Sequence, residues 1–277
     1  MIHSAAIHRY ENGRLGGETT DALAVEEPLE LRVEGRSIAV VMRTPGHDRE
    51  LAAGFLLTEG VIKSAKDLFD LTSCVANGTA GKGNAVDAAL TRPDRAELEK
   101  LTRHVFTSSS CGVCSKASID FVLKRRKPLE DSVRIPATLI LSLPKRLAAA
   151  QEDFKKTGGL HACALFDSAG HLLAAREDVG RHNALDKLIG WALLEKRTPL
   201  HGHVVLLSGR VSFEMMQKAH AAGIPIVAAI SAPTSLAVNF AEDSGQTLVG
   251  FVRGRTLNVY AGAERISARS SRTRPAE

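Results

Sequence analysis

Cys111 and Cys114 stand two residues apart in the stretch Ser108-Ser109-Ser110-Cys111-Gly112-Val113-Cys114-Ser115. Thiols at this spacing suit either sulfur exchange or metal ligation. The apolar residues Ile119, Val122 and Leu123 that follow predict a helix. If it begins near Ser115, its unpaired N–H groups and its dipole favour a thiolate at one cysteine. Lys116 and the run from Lys124 to Lys127 add positive potential. A thiolate is both nucleophile and leaving group in sulfur exchange, so a lowered pKa prepares the loop for persulfide or disulfide chemistry.

The competing reading of the pair is half a zinc site or an incidental loop. A structural zinc site takes four ligands, and the remaining candidates, Cys74, Cys163 and His161, are isolated in the chain. Zinc nucleobase deaminases combine C-x-x-C with an upstream His-x-Glu and a proline just before the cysteines. Here Ser110 precedes Cys111 and no His-x-Glu occurs, so no metal site is assigned. A thioredoxin-type pair follows a strand, and residues 91–107 are too charged for one.

A second concentration of chemistry is Arg176-Glu177-Asp178-Val179-Gly180-Arg181-His182-Asn183, which leads into an amphipathic helix carrying Ala184, Leu185, Leu188 and Ile189. On a structural reading Asp178 and Asn183 cap that helix while Arg181 pairs with acids. Ligand binding at the helix start is the alternative, with His182 as an acid or base. A third signal lies at strand ends: Ser208-Gly209-Arg210, Ser231-Ala232-Pro233-Thr234-Ser235 and Phe251-Val252-Arg253-Gly254-Arg255-Thr256. Arg253 and Arg255 offer planar bidentate donors, Gly254 permits close backbone approach, Thr256 adds a hydroxyl and Phe251 can lie against a flat base. Phosphate suits such an edge, since ligands of open α/β sheets gather outside the carboxyl ends of strands. A basic turn before a last strand at Leu257–Tyr260 is the plainer reading.

The elements that must position these residues follow from periodicity. Leu29–Val33 and Ile38–Met42 read as a β-hairpin, Thr44-Pro45-Gly46 as a turn, and Asp48 as the cap of a helix with Leu51, Phe55 and Leu56 on one face, ended by Gly60. Cys74–Asn84 is Gly-rich; it lacks the spacing of a Walker loop and reads as a hairpin loop. Cys163–Phe166 with Leu172–Ala175 form a further hairpin. Beyond residue 200, strands at Val204–Leu207, Pro225–Ile230 and Thr247–Val252 alternate with helices at Phe213–Ala222 and Thr234–Glu242, which predicts a sheet with parallel neighbours.

Composition fits this reading. Of 277 residues, 44% are hydrophobic and 24% charged, as in ordinary folded proteins. No apolar run is long enough for a bilayer crossing, and the N-terminus lacks the pattern of a secretory signal, so a cytoplasmic protein off the membrane is expected. Its four cysteines are too sparse for a disulfide framework. A formal charge of +5 favours an anionic partner. With only 4% aromatic residues, phosphate on a small cofactor is preferred to nucleic acid.

Taken together the motifs resemble the FdhD family of formate dehydrogenase accessory proteins, from about Val25 to Tyr260. The matching blocks are Glu50-Leu51-Ala52-Ala53-Gly54-Phe55 through Glu59-Gly60, Cys111-Gly112-Val113-Cys114, Gly158-Gly159-Leu160-His161-Ala162, Glu177 through Lys187, Ser208-Gly209-Arg210 and Leu248-Val249-Gly250-Phe251. Ser110 stands where relatives often carry glycine.

The resemblance implies a sulfurtransferase, a persulfide carrier that takes sulfur from a cysteine desulfurase and passes it to the molybdenum or tungsten cofactor of formate dehydrogenase. That cofactor, Mo-bis(molybdopterin guanine dinucleotide), is strongly anionic. By the same resemblance Cys111 carries the persulfide with Cys114 assisting, Phe251, Val252, Arg253, Gly254, Arg255 and Thr256 contact the guanine dinucleotide, and the protein is a homodimer. The implied fold class is α/β: a cytidine-deaminase-like three-layer domain at 139–266, a smaller α+β domain at 1–107, the C-x-x-C loop and a connecting helix at 108–138, and a disordered basic tail at 267–277. A cofactor-binding chaperone that moves no sulfur and a dithiol oxidoreductase are the alternatives.

Overall fold

Asn12 and Gly13 both take positive φ, 51° and 82°, the backbone of a tight hairpin turn. In the computed structural model, which describes residues 2–75, 83–93 and 127–268, they fold β1 (Ile2–Glu11) against β2 (Arg14–Ala24) as an antiparallel pair whose side chains are mostly exposed. The expected hairpin follows as β3 (Glu27–Val33) and β4 (Arg36–Arg43), with Leu29, Leu31 and Val33 turned into the core. α1 (Asp48–Thr58) comes next, and Gly60 beyond it has φ 78°. Asp48 is not the cap. His47 holds that position, and Asp48 instead accepts Arg43 Nε and a terminal guanidinium nitrogen, both at 3.0 Å. Arg43 is 2% exposed, and a buried guanidinium needs a bidentate carboxylate more than a helix end needs one oxygen. β5 (Leu68–Cys74) and β6 (Ala85–Leu90) pair antiparallel; residues 76–82 of the Gly-rich stretch between them lie outside the described residues. These strands complete a four-stranded sheet ordered β4-β3-β6-β5.

The rest of the described chain builds a larger sheet. β7 (Ile135–Pro136) leads to α2 (Ala137–Ala150) and α3 (Glu152–Thr157). Then come β8 (His161–Phe166), β9 (Leu172–Asp178), α4 (Arg181–Leu194), β10 (Val204–Leu207), α5 (Phe213–Ala221), β11 (Ile226–Ala229), α6 (Ser235–Ser244), β12 (Thr247–Arg253), β13 (Thr256–Ala261) and the short β14 (Ile266–Ser267). The six-stranded order is β13-β12-β11-β10-β8-β9, with β10, β11 and β12 mutually parallel and β8 antiparallel to β10. Strand and helix positions expected beyond residue 160 are all present, with small shifts at their ends.

Alternation along each strand sends side chains to two cores. Val205, Leu207 and Val227 pack with α4, α5 and α6 on one face, while Val204, Leu206 and Ile226 meet Ile140, Leu143 and Leu147 of α2 on the other. The first core also contains Leu29, Leu31, Leu51 and Leu56, so the smaller sheet and α1 share it. The seam is the crossing of α1 and α4. A Cβ on Gly54 would collide with the Asp186 carbonyl, and one on Gly190 with the Glu50 carbonyl, so only glycine lets the two backbones meet. Residues 94–126, with the C-x-x-C loop and the expected helix through Leu123, lie outside the described residues. So does the tail from residue 269 onward, while Ser267 pairs with Pro136.

Candidate functional site

The parallel strands β10, β11 and β12 finish on one edge of the sheet. Because Leu207 lies opposite Cys163, β8 begins where β10 ends, and His161 joins the same edge with the start of α4. Three helices therefore begin there: α4 behind Gly180, α5 behind Ser212 and α6 behind Thr234. Helix N-termini present free N–H groups and partial positive charge. Thr234 caps α6 by accepting the Ala237 N–H at 3.3 Å. Gly180 has no side chain to cap α4, and the Ser212 hydroxyl makes no capping bond to α5.

The turn from β12 to β13 closes this edge. Phe251 has φ 51°, a left-handed conformation that strains a bulky residue, and its N–H donates to Ser231 O at 3.1 Å. Phe251 is 36% exposed, with the Arg253 guanidinium 5.6 Å from its ring centroid. Arg253 Nε donates to Ile230 O at 2.8 Å, which ties the guanidinium to the end of β11. Gly254 has φ 54° and open space where a Cβ would stand. Arg255 is exposed, and Thr256 Oγ1 donates to Arg253 O at 3.3 Å. The Val252 side chain is buried in the second core, so this residue offers a ligand its backbone alone.

The charged block at 176–187 divides into two kinds of residue. Most of it joins α4 to the smaller sheet. Arg176 pairs with Glu50 at 2.5 and 2.8 Å. Glu177 accepts the N–H groups of Asp153 and Phe154 at the start of α3. Asp178 is fully buried, bound by Lys187 Nζ at 2.7 Å and by the N–H groups of Thr44 and Gly180. Asn183 donates to Met42 O at 2.7 Å. Asp186 holds Lys218 at 2.8 Å beside Thr58. Burial works against the Lys218 ammonium, but Asp186 and Glu59 outweigh it and raise its pKa. Burial by itself pushes the Asp186 carboxyl up; with the ammonium and the Thr58 hydroxyl both on it, the ion pair is the form we assign. Asp178 and Asn183 therefore act as buried anchors and not as exposed caps, because α4 crosses another helix where water cannot solvate it.

Arg181 and His182 are the exceptions. Among the described residues Arg181 forms no ion pair, and its buried Nε has no hydrogen-bond partner. His182 is 6% exposed, and neither ring nitrogen makes a hydrogen bond. Glu214 Oε2 lies 2.9 Å from Nε2, at ion-pair distance. His161 stands beside them. Burial, then the charges of Arg181 and His182, lower its pKa, with Arg210 adding to the effect and Asp178 opposing it. His161, Ser212 and Glu214 come from separate elements, so no local pattern in the sequence groups them.

Cys111 and Cys114 lie outside the described residues. Of the other thiols, Cys163 is buried in the core, where burial first and then Asp186 and Asp178 push its pKa up, and Cys74 is partly exposed. No group of three or more His, Cys, Asp or Glu among the described residues could hold a metal ion. None of the described helices is long and apolar enough to cross a membrane.

Fold and edge together define an α/β protein that presents helix N-termini and guanidinium groups at the carboxyl ends of a parallel strand set. The sequence profile of the FdhD/NarQ family matches residues 24–267, and the chain belongs to that family. A sulfur carrier protein FdhD from Nocardia farcinica is 50% identical over 260 residues, covering 92% of each chain. One from Mycolicibacterium paratuberculosis is 51% identical over 251 residues, covering 89% of this chain and 92% of that one. A crystal structure described as that of a formate dehydrogenase accessory protein from Desulfotalea psychrophila superposes with a TM-score of 0.74 at 25% identity, covering 96% of this chain and 99% of that one.

Proposed function

We propose that this protein is a persulfide carrier serving formate dehydrogenase. Cys111 thiolate attacks the outer sulfur of a cysteine desulfurase persulfide, the desulfurase thiolate leaves, and Cys111-S-SH forms. Attack of Cys114 thiolate on Cys111 Sγ then expels the outer sulfur as sulfide to the metal of Mo-bis(molybdopterin guanine dinucleotide). Two thiols are oxidised to a disulfide as the sulfur is reduced, and a thiol reductant resets the pair. The cofactor is cargo, docked by its guanine dinucleotide at Phe251–Thr256 before insertion into formate dehydrogenase, and the working unit is a homodimer in the cytoplasm.

The observation that carries this reading is the basic sheet edge, in a chain half identical to proteins named sulfur carriers. The three layers of the larger sheet also support a cytidine-deaminase-like fold for that part. Mass spectrometry after incubation with a desulfurase and cysteine tests the transfer. The wild type is expected to gain a sulfur atom and Cys111→Ala to gain none; equal labelling of both rejects the assignment. If Cys111→Ser supports full formate dehydrogenase activity in an accessory-deficient strain, the protein is a chaperone for the cofactor.

A further inference from the structure

Strands β1 and β2 form a sheet of their own, paired with no other strand among the described residues. Two strands alone are marginally stable in water, and such a ribbon persists when further strands or a covering surface join it. The body of the protein supplies little cover. Its main contact with the ribbon is between α3 and β2, with Ala24 beside Gly159, so the outer edge of β1 is left open. The family profile begins at residue 24, so the ribbon precedes the part of the chain that defines the family.

Nothing along that edge blocks pairing. Exposed edge strands are commonly protected by Lys, Pro or a bulge. β1 contains neither Lys nor Pro, and its formal charges, Arg9 and Glu11, stand near the tip. The register with β2 shifts between His8 and Tyr10, but there β2 carries the extra residue, since Gly16 and Gly17 stand against the single Arg9. β1 itself therefore runs regularly. Alternation puts Ile2, Ala6 and Tyr10 on one face, and Leu15 lies opposite Tyr10. Tyr10 is 67% and Leu15 68% exposed, an apolar pair with nothing over it. An antiparallel strand can pair with its own copy about a two-fold axis, which passes through the point where one residue meets itself. With Ala6 at that point, Ala5 of one copy lies opposite Ile7 of the other and Ile2 opposite Tyr10. Apolar residues then meet apolar residues, Arg9 stays away from its own counterpart, and the shared edge from Ile2 to Tyr10 is about 30 Å long.

We propose that β1 pairs antiparallel with β1 of a second copy of this chain about a two-fold axis at Ala6, joining two marginal ribbons into one four-stranded sheet. In that sheet Ile2 of each copy packs beside Tyr10 and Leu15 of the other, which covers the exposed apolar pair. The proposal rests on the homodimer given above as the working unit and names the surface that forms it. It does not depend on the route that sulfur takes.

Sedimentation velocity of the full-length protein over a range of concentrations tests it, with Ala6→Lys and Ala6→Glu as the variants. Ala6 is exposed, so neither change disturbs a core. Like charges directly opposite each other destabilise strand pairing. Each variant alone is therefore expected to dimerise about fivefold or more weakly than the wild type, with the loss shrinking at high salt. An equimolar mixture of the two brings Lys against Glu at the axis and is expected to recover the dimer, which also shows that both variants are folded. Wild-type affinity in both variants, or a mixture no tighter than either alone, overturns the pairing at Ala6 while leaving the homodimer standing on another surface. A wild type that stays monomeric at every concentration overturns the homodimer and the pairing together.

Discussion

At Glu50 one carboxylate links the two sheets, reaching from α1 to Arg176 on β9 while His47 Nδ1 approaches at 3.1 Å. Burial opposes its ionisation, yet the Arg176 hydrogen bond and charge, helped by His47, hold its pKa at about 2. An unfolded glutamate titrates near 4.3, so the contribution of this group is complete above that pH and is lost as pH falls toward 2. Glu50→Gln is therefore expected to destabilise the protein by about 1–2 kcal/mol at pH 7, discounting for partial exposure, in urea titrations. The deficit should shrink between about pH 4 and 2; a deficit constant over that range would mean packing, not charge, holds this contact. Cys163 makes a second residue-scale test: its buried, poorly ionised thiol is expected to resist iodoacetamide in the native protein and to react only on unfolding. The sequence made the paired thiols at 111 and 114 visible because their signal is local. It left Arg181 and His182 ambiguous, because what separates them from Asp178 and Asn183 is whether a partner arrives from Thr44, Met42 or Lys187, and no local pattern states that.

Helices α1 and α4 cross where Gly54 and Gly190 each face the other backbone. Two effects of Gly54→Ala compete. Alanine in a helix interior is favoured over glycine by about 1 kcal/mol, whereas a methyl group driven into the Asp186 carbonyl must push the helices apart and disturb the Lys218 ion pair beneath them. The second effect dominates, because rigid backbone cannot yield as a side-chain tip can. The expected outcome is a loss of about 3 kcal/mol or more, read as a large fall in thermal midpoint or in soluble yield. Gly17→Ala, on exposed β2 with nothing within 4 Å, serves as the control and should change little. A near-neutral Gly54→Ala would show that the crossing is looser than described. At this scale the sequence was informative wherever the hydrophobic period was clean, as in Leu29–Val33 and Val204–Leu207. It hid α2, whose Pro144 sits inside the helix and reads as a breaker. It also hid β1 and β2, whose alternation buries almost nothing, although Asn12-Gly13 is a strong hairpin turn.

Across the whole molecule, two sheets separated in sequence draw on one hydrophobic core, with Leu29, Leu51 and Leu56 in the same cluster as Leu185, Val205 and Val227. Shared burial of this kind couples the parts: neither sheet can expose its face without exposing the other's, so thermal unfolding of the full chain is expected to be one transition with equal calorimetric and van't Hoff enthalpies. The hairpin at residues 2–24 stands outside that coupling, since its side chains are mostly exposed and, among the described residues, it packs mainly against α3. A chain beginning at Val25 should therefore keep its single transition and a midpoint within about 4 °C of the full-length value, because a loss near 1 kcal/mol shifts a domain of this size by only a few degrees. Differential scanning calorimetry of both chains decides the matter. Two separated transitions in either would show that the seam at α1 and α4 is weaker than the cores it joins, and a large fall on truncation would show that the hairpin closes over surface that the core needs covered.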